Sequence, residues 1–356
     1  MKKYAARETV SLIILTVLLS YSMITYGQEN QLPDTLTLNN ETGTGLFESD
    51  EILNVTIKFD ITQYTRKRPD EYMDAVITFY TDVDDSISYN IRLKSRGERR
   101  RELCFFPPIR LNFKDTRTIY GDIDSMTNIK MVTHCNSSRI YDDYVFKEYL
   151  VYKLYNLITE YSFRVRLLRI KYIDTGRKEK TYSKYGFLIE PLDLLEQRLN
   201  VFEIENIHLK YKDLIPDMLD RMAIFQYMIG NTDWQVISYH NMKLVKGRTQ
   251  LKAIPIAYDF DYSGFVNTNY AIPAEITGME DVSQRYYLGA CRPDTTYLRI
   301  LGEFMDKRND FFEIIENFDL IDKRSKKFVT GFLEGFFDLY KRDRIIYQLK
   351  MTCDDR

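Results

Sequence analysis

Ile229-Gly230-Asn231-Thr232-Asp233-Trp234-Gln235, then Tyr239-His240-Asn241-Met242-Lys243-Leu244, then Ile256-Ala257-Tyr258-Asp259-Phe260-Asp261-Tyr262-Ser263-Gly264-Phe265 is the stretch on which the reading of this chain turns. An acid, Asp233, follows the end of an apolar helix-like run. An amide, Asn241, stands just before a short strand-like run. Two more acids, Asp259 and Asp261, follow the next one. Oxygen-bearing side chains at the ends of adjacent strands suit a hard divalent cation, and no other part of the chain points as directly at a reaction.

The rest of the composition sets limits. The chain has 356 residues, of which 44% are hydrophobic and 29% charged. That is a globular composition, long enough for two lobes with sizeable cores. The net charge of −2 argues against a nucleic-acid binder that works by bulk charge. Residues 1–27 stand apart: Lys2, Lys3 and Arg7 precede an apolar run from Val10 to Met23, and Thr25-Tyr26-Gly27 closes it. This is the pattern of a secretory signal peptide, too short for a comfortable bilayer span of about 20 residues. The expectation is an exported chain (periplasmic, cell-surface or extracellular) with no stable membrane span after signal removal. Export makes disulfides plausible for Cys104, Cys135, Cys291 and Cys353. Of the three possible pairings we favour Cys104–Cys135, since both lie at the ends of strand-like segments in the same half. No Cys-x-x-Cys occurs, and His134, His208 and His240 are not at ligand spacing.

Residues 28–45 are polar and read as a flexible lead-in. Alternation of apolar and polar residues predicts strands over 54–60, 74–80, 86–93, 109–113 and 128–133. A helix with an acidic first turn at Asp142 and Asp143 runs to Leu157. Two further strands, 164–174 and 185–190, flank a charged loop. After Glu190 the period changes to helical: 192–200, 214–229, 297–309, 311–318 and 323–349, with short strands at 242–245 and 253–258. The fold class is therefore α+β and bilobal, like that of the protein kinases. An antiparallel sheet with one long helix forms the first lobe (46–191), and a mainly helical second lobe (192–356) carries the acid–amide–acid set.

With that set the sequence resembles the CotH-type secreted protein-kinase family and, more distantly, the HipA-type kinases. The residues that carry the resemblance are Arg96-Gly97 after a strand, Phe106-Pro107-Pro108-Ile109-Arg110-Leu111 and Asn128-Ile129-Lys130-Met131-Val132. Glu148-Tyr149-Leu150, Tyr185-Gly186-Phe187-Leu188-Ile189-Glu190, Gly230-Asn231-Thr232-Asp233, Asn241 and Tyr258-Asp259-Phe260-Asp261 follow in order.

The resemblance implies transfer of a phosphoryl group from ATP, held with Mg2+ or Mn2+, to a hydroxyl of a protein or small molecule. Asp233 matches the catalytic acid, which orients the hydroxyl and takes its proton. The same Gly-Asn-Thr-Asp run is also a sound turn on its own. Asn241 would give an oxygen to the metal, although its distance of eight residues from Asp233 requires a longer or bulged loop. Asp259 matches the metal-binding acid, and Asp261, on the same side of an extended chain, would help it. Glu148 would pair with the cation that grips the phosphates. Arg110, Lys114 and Lys130 are candidates for that cation, with Lys130 preferred. The basic run from Arg96 to Arg101 reads either as a loop over phosphates or as a solvated charged hairpin; no Gly-x-Gly-x-x-Gly is present. Glu190 falls where the chain crosses between lobes, with a backbone placed for an adenine edge. Two other readings stay open: an inactive kinase scaffold that serves as a surface binding protein, and an AMP transferase on the same scaffold.

Overall fold

The computed structural model describes residues 45–80, 86–113, 128–205 and 209–354. The signal-like segment 1–27, nearly all of the lead-in, Lys114 and His208 lie outside them.

The first half is built from seven strands. β1 (Leu53–Phe59), β2 (Met73–Tyr80), β3 (Ser86–Ser95), β4 (Ile109–Asn112) and β5 (Asn128–Val132) are joined by β6 (Val165–Asp174) and β7 (Lys180–Ile189). Their order is β1-β2-β3-β4-β5-β7-β6, and β6 returns to β1 to close a barrel. The closing pair is parallel, running from Leu53 opposite Leu168 to Phe59 opposite Asp174, while the other pairs are antiparallel. The closed barrel with its parallel seam differs from the expected antiparallel sheet and from a simple bilobal arrangement, while the mixed α+β class holds. Alternation along a strand says which face is apolar, but not which strand lies beside it, here 115 residues on from Leu53 to Leu168. Inside the barrel, Ile57, Ile77, Phe79, Leu93, Leu111, Ile129 and Ile170 are buried. Their neighbours in sequence therefore point outward.

Among the described residues, three α-helices belong to this half. α1 (Ile61–Lys67) is capped by Asp60, whose carboxylate accepts from the Gln63 N–H at 2.7 Å. α2 is the six-residue segment Glu98–Leu103, where the sequence suggested only a basic loop or hairpin. α3 (Arg139–Ile158) is the expected long helix, and nearly every residue from Tyr144 to Tyr155 is buried. It packs on β6 and β7 and joins the core of the second half. That half contains α4 (Leu192–Leu199), α5 (Pro216–Ile229), α6 (Asp294–Asp306), α7 (Arg308–Glu316), α8 (Lys323–Lys341) and α9 (Ile345–Thr352). A small sheet has the order β10-β9-β8, with β8 Phe202–Glu203, β9 Met242–Lys246 and β10 Ile254–Ala257. The single helix expected over 323–349 is broken between α8 and α9, where Asp343 takes a left-handed backbone at φ 52°.

Disulfides join Cys104 to Cys135, the favoured pairing, and Cys291 to Cys353. Both are compatible with an exported protein. Among the described residues, no helix is long and apolar enough to cross a membrane.

Candidate active site

The site grows from the end of α5 and the β9–β10 hairpin. Gly230 ends α5 with φ +66°, a left-handed backbone that a glycine adopts at low cost. Its carbonyl accepts from the Gly264 N–H at 3.0 Å, and that of Ile229 accepts from the Phe265 N–H at 3.0 Å. The helix end is thereby stitched to the turn after β10. Asp233 stands three residues beyond the cap, its N–H donated to Asn231 Oδ1 at 3.0 Å. In the hairpin Met242 pairs with Ala257, and one step further the Tyr258 N–H donates to the Asn241 carbonyl at 3.1 Å. Strand register thus brings Asn241 beside Tyr258, the residue before Asp259.

Asp233 and Asn241 meet directly. Asn241 Nδ2 donates to Asp233 Oδ2 at 2.8 Å and to the Asp233 carbonyl at 2.7 Å. The eight-residue spacing is absorbed by a tight loop in which Gln235 and His240 bridge, with Trp234 and Val236 buried beneath it. Tyr239 and Asn241 take left-handed backbones at φ 54° and 52° to make the turn. His240 Nε2 lies 2.8 Å from Asp233 Oδ1. With its amide nitrogen turned to Asp233, Asn241 has its amide oxygen on the opposite side of the group. Beside Asp233 opens a cavity of about 570 Å³, lined in part by Tyr211, Trp234, His240, Ile276 and Tyr286.

A second cluster lies where α3 meets the end of β10. Oxygen atoms of Glu148, Asp259 and Asp261 come within 4.8 Å of one another. Arg100, the one buried residue of α2, reaches into this cluster. Its guanidinium donates to Glu148 at 3.0 and 3.3 Å and to Asp259, and Nε lies 3.2 Å from Asp261 Oδ2. The Tyr270 hydroxyl donates to Asp261 Oδ2 at 3.0 Å, and the Asp259 N–H donates to the Tyr152 hydroxyl at 2.9 Å. Burial pushes Glu148 and Asp261 up from the usual carboxylate range, and Arg100 only partly offsets it. At Asp259 burial also pushes upward, but Arg100, Arg96 and Lys130 together outweigh it and hold the group below its ordinary value. Asp259 has φ 64°, an uncommon backbone for a residue with a side chain. Two expectations change here. Glu148 pairs with Arg100 and not with a strand cation. Asp261 is buried against Arg100 and Tyr270.

The strand cations form their own row. Lys94 of β3 is opposite Arg110 of β4, which is opposite Lys130 of β5. All three stand on the outer face of the barrel, since Leu93, Leu111 and Ile129 between them point inward. Arg110 Nε is buried without a hydrogen-bond partner. Lys130 Nζ sits 4.6 Å from the centre of the Tyr258 ring. Burial, then the nearby Arg96, pull Lys130 down to about 7, against the opposing pull of Asp259. Burial likewise lowers Arg96, which Asp259 supports. Lys130, Arg96 and Asp259 thus act on one another. Arg110 and Arg96 both help to depress Lys130, as like charges do.

Glu190 has a different task. Its carboxylate accepts from Arg198 at 2.9 and 2.8 Å and from the Arg164 N–H at 3.0 Å, and its own N–H donates to the Arg164 carbonyl. It is a buried anchor for the crossover between the halves. Sequence reasoning missed Arg100. Its signal was one arginine, three residues after Gly97, inside a run of five charged residues of which the others are exposed or half-buried.

Hard oxygen donors are present for a magnesium ion: the Asp259 carboxylate and the Asn241 amide oxygen at neighbouring strand ends. Glu148 and Asp261 could complete such a set only where Arg100 now stands.

No protein-family model and no curated protein matches the chain. Among solved structures, it is similar to the Helicobacter pylori proinflammatory kinase CtkA at 9% identity and a TM-score of 0.36, over 68% of this chain and 89% of that one. A likeness so loose decides nothing about reaction or substrate. The CotH-type resemblance finds no support in these comparisons.

Proposed function

We propose that the chain is an exported kinase-like phosphotransferase that moves a phosphoryl group from a magnesium nucleotide to a hydroxyl of a protein or small molecule. The observation that carries this reading is the hydrogen-bonded Asp233–Asn241 pair, with Asn241 beside Tyr258, the residue before Asp259, and accompanied by a row of cations on the barrel face. The finer assignment, to the CotH-type kinases, rests on the ordered motifs. Export rests on the signal-like segment.

In this reading the acceptor enters the cavity beside Asp233. The Asp233 carboxylate, fixed by Asn241 and His240, orients the hydroxyl and receives its proton as the oxygen–phosphorus bond forms. The bond from the γ-phosphorus to the bridging oxygen breaks, and the nucleoside diphosphate leaves. Lys130 and Arg110 would hold phosphate oxygens, and Asp259 and Asn241 would hold a metal ion, whose chemistry there would be charge neutralisation at the phosphates. Arg110 Nε, buried and without an acceptor, gains one when a phosphate arrives.

Intact-mass spectrometry after incubation with ATP, magnesium and a mixed set of hydroxyl acceptors tests the reading. A phosphate adduct on an acceptor or on the chain itself is expected. Asp233→Asn should lower transfer by about 10²–10⁴-fold while nucleotide binding persists. An AMP adduct would replace phosphoryl by nucleotidyl transfer. The inactive-scaffold reading is favoured by one observation, the guanidinium among the three acids. It would prevail if calorimetry detects no magnesium-nucleotide binding.

A further inference from the structure

α2 is an unusual helix. Five of its six residues are exposed or partly so, and Arg100 alone is buried. No apolar side chain of α2 is buried in either core. What holds it down is the charge pairing of Arg100 with Glu148, Asp259 and Asp261. Its two ends differ. On the N-terminal side Gly97 has φ +79° in an exposed position, with only the Arg100 Cβ near where a side chain would start. On the C-terminal side, Cys104 donates its N–H to the Arg100 carbonyl at 2.9 Å and is bonded through sulfur to Cys135. Arg101 pairs with Asp70, and Arg68 Nη1 donates to the Glu102 carbonyl at 2.7 Å, both on the outer surface. The geometry is that of a short segment with a glycine hinge at Gly97, a latch at Cys104–Cys135 and a buried cation midway between them.

We propose that Arg100 is a tethered stand-in for a divalent cation: it fills the Glu148–Asp259–Asp261 cluster at rest, and α2 must swing outward before a metal enters there. The inference rests on the reading of Asp259 as a metal ligand. Three carboxylates this close are all ionised together only with a cation between them; otherwise one keeps a proton. A guanidinium touching all three and a doubly charged ion in the same space repel each other, so one excludes the other. The chain is then held off until a metal, delivered with its nucleotide, displaces the arginine, and the disulfide sets how readily that happens.

The test is Mn2+ binding to the full chain without nucleotide, read from the free-ion electron paramagnetic resonance signal. Arg100→Gln should bind Mn2+ at least about tenfold more tightly than the wild type. Adding Asp261→Asn should remove the gain. The pair Cys104→Ser and Cys135→Ser, which keeps Arg100 but frees the latch, should show a smaller gain. If Arg100→Gln is folded by circular dichroism and binds Mn2+ no more tightly, the proposal is overturned. If that variant does not fold, the cysteine pair decides, and no gain there overturns it equally. Tighter Mn2+ binding without phosphoryl transfer in any variant would leave the exclusion by Arg100 standing and remove the proposed reaction. Transfer by the wild type with no gain in Arg100→Gln would do the reverse.

Discussion

Lys130 offers the most quantitative handle on the proposed nucleotide site. Burial and neighbouring cations bring it from 10.5 to about 7. At about pH 8.5 only about 3% of the folded molecules then carry the charge, so recharging it costs about 2 kcal/mol. A phosphate placed against Lys130 Nζ and Arg110 adds negative charge where cations now crowd, and raises the lysine above that pH. Nucleotide binding should therefore take up about one proton at about pH 8.5 and far less at about pH 6, where the group is already charged. Calorimetry in buffers of different ionisation enthalpy reads this directly, as the slope of observed against buffer enthalpy. Lys130→Met should flatten the slope at the higher pH and weaken binding most at the lower pH, where the wild type presents a charged side chain without cost. A slope near zero in the wild type at about pH 8.5, or the same slope in Lys130→Met, would refute the placement of Lys130 at the phosphates. The sign for stability is also fixed. A lysine depressed on folding binds fewer protons folded than unfolded between about 7 and 10.5, so its contribution to stability rises with pH through that window.

Other consequences concern the frame. Gly264→Ala should destabilise the chain by about 1–3 kcal/mol in thermal unfolding, because the new Cβ would lie 2.2 Å from the Val282 carbonyl oxygen and 2.9 Å from the Phe332 ring. Arg198→Met should cost about 3–5 kcal/mol, since it strips the partner from the buried Glu190 carboxylate; Glu190→Gln in the same chain should recover part of the loss in denaturant titrations. Replacing Cys291 and Cys353 by serine opens a loop of 62 residues and should lower stability by about 2–4 kcal/mol in urea.

Much of the fold could be read from local pattern. The strands at Leu53–Phe59, Met73–Tyr80 and Asn128–Val132 and the helix Arg139–Ile158 follow from period and capping, and they lie within a few residues of where the pattern puts them. The barrel's closing seam does not, because pairing Ile57 with Tyr172 is a matter of three-dimensional neighbourhood. β7 begins at Lys180, five residues before its apolar stretch, since its first half pairs with β6 while facing water. In the site, Asp233, Asn241 and Asp259 were legible because they sit at the ends of apolar runs. Arg100 was not. Its burial is produced by partners 48 to 161 residues away, and α2 has no apolar stripe to announce it. Glu148 was correctly placed on the helix, but its partner was sought on a strand, where a lysine in an apolar run draws the eye.

Because the seven strands form a ring, the barrel offers no free lateral edge on which a foreign chain could build an eighth strand. A ring also shears less easily than an open sheet, so the cations on its outer face keep their spacing. Such a wall guards against sticky self-association as well as against distortion.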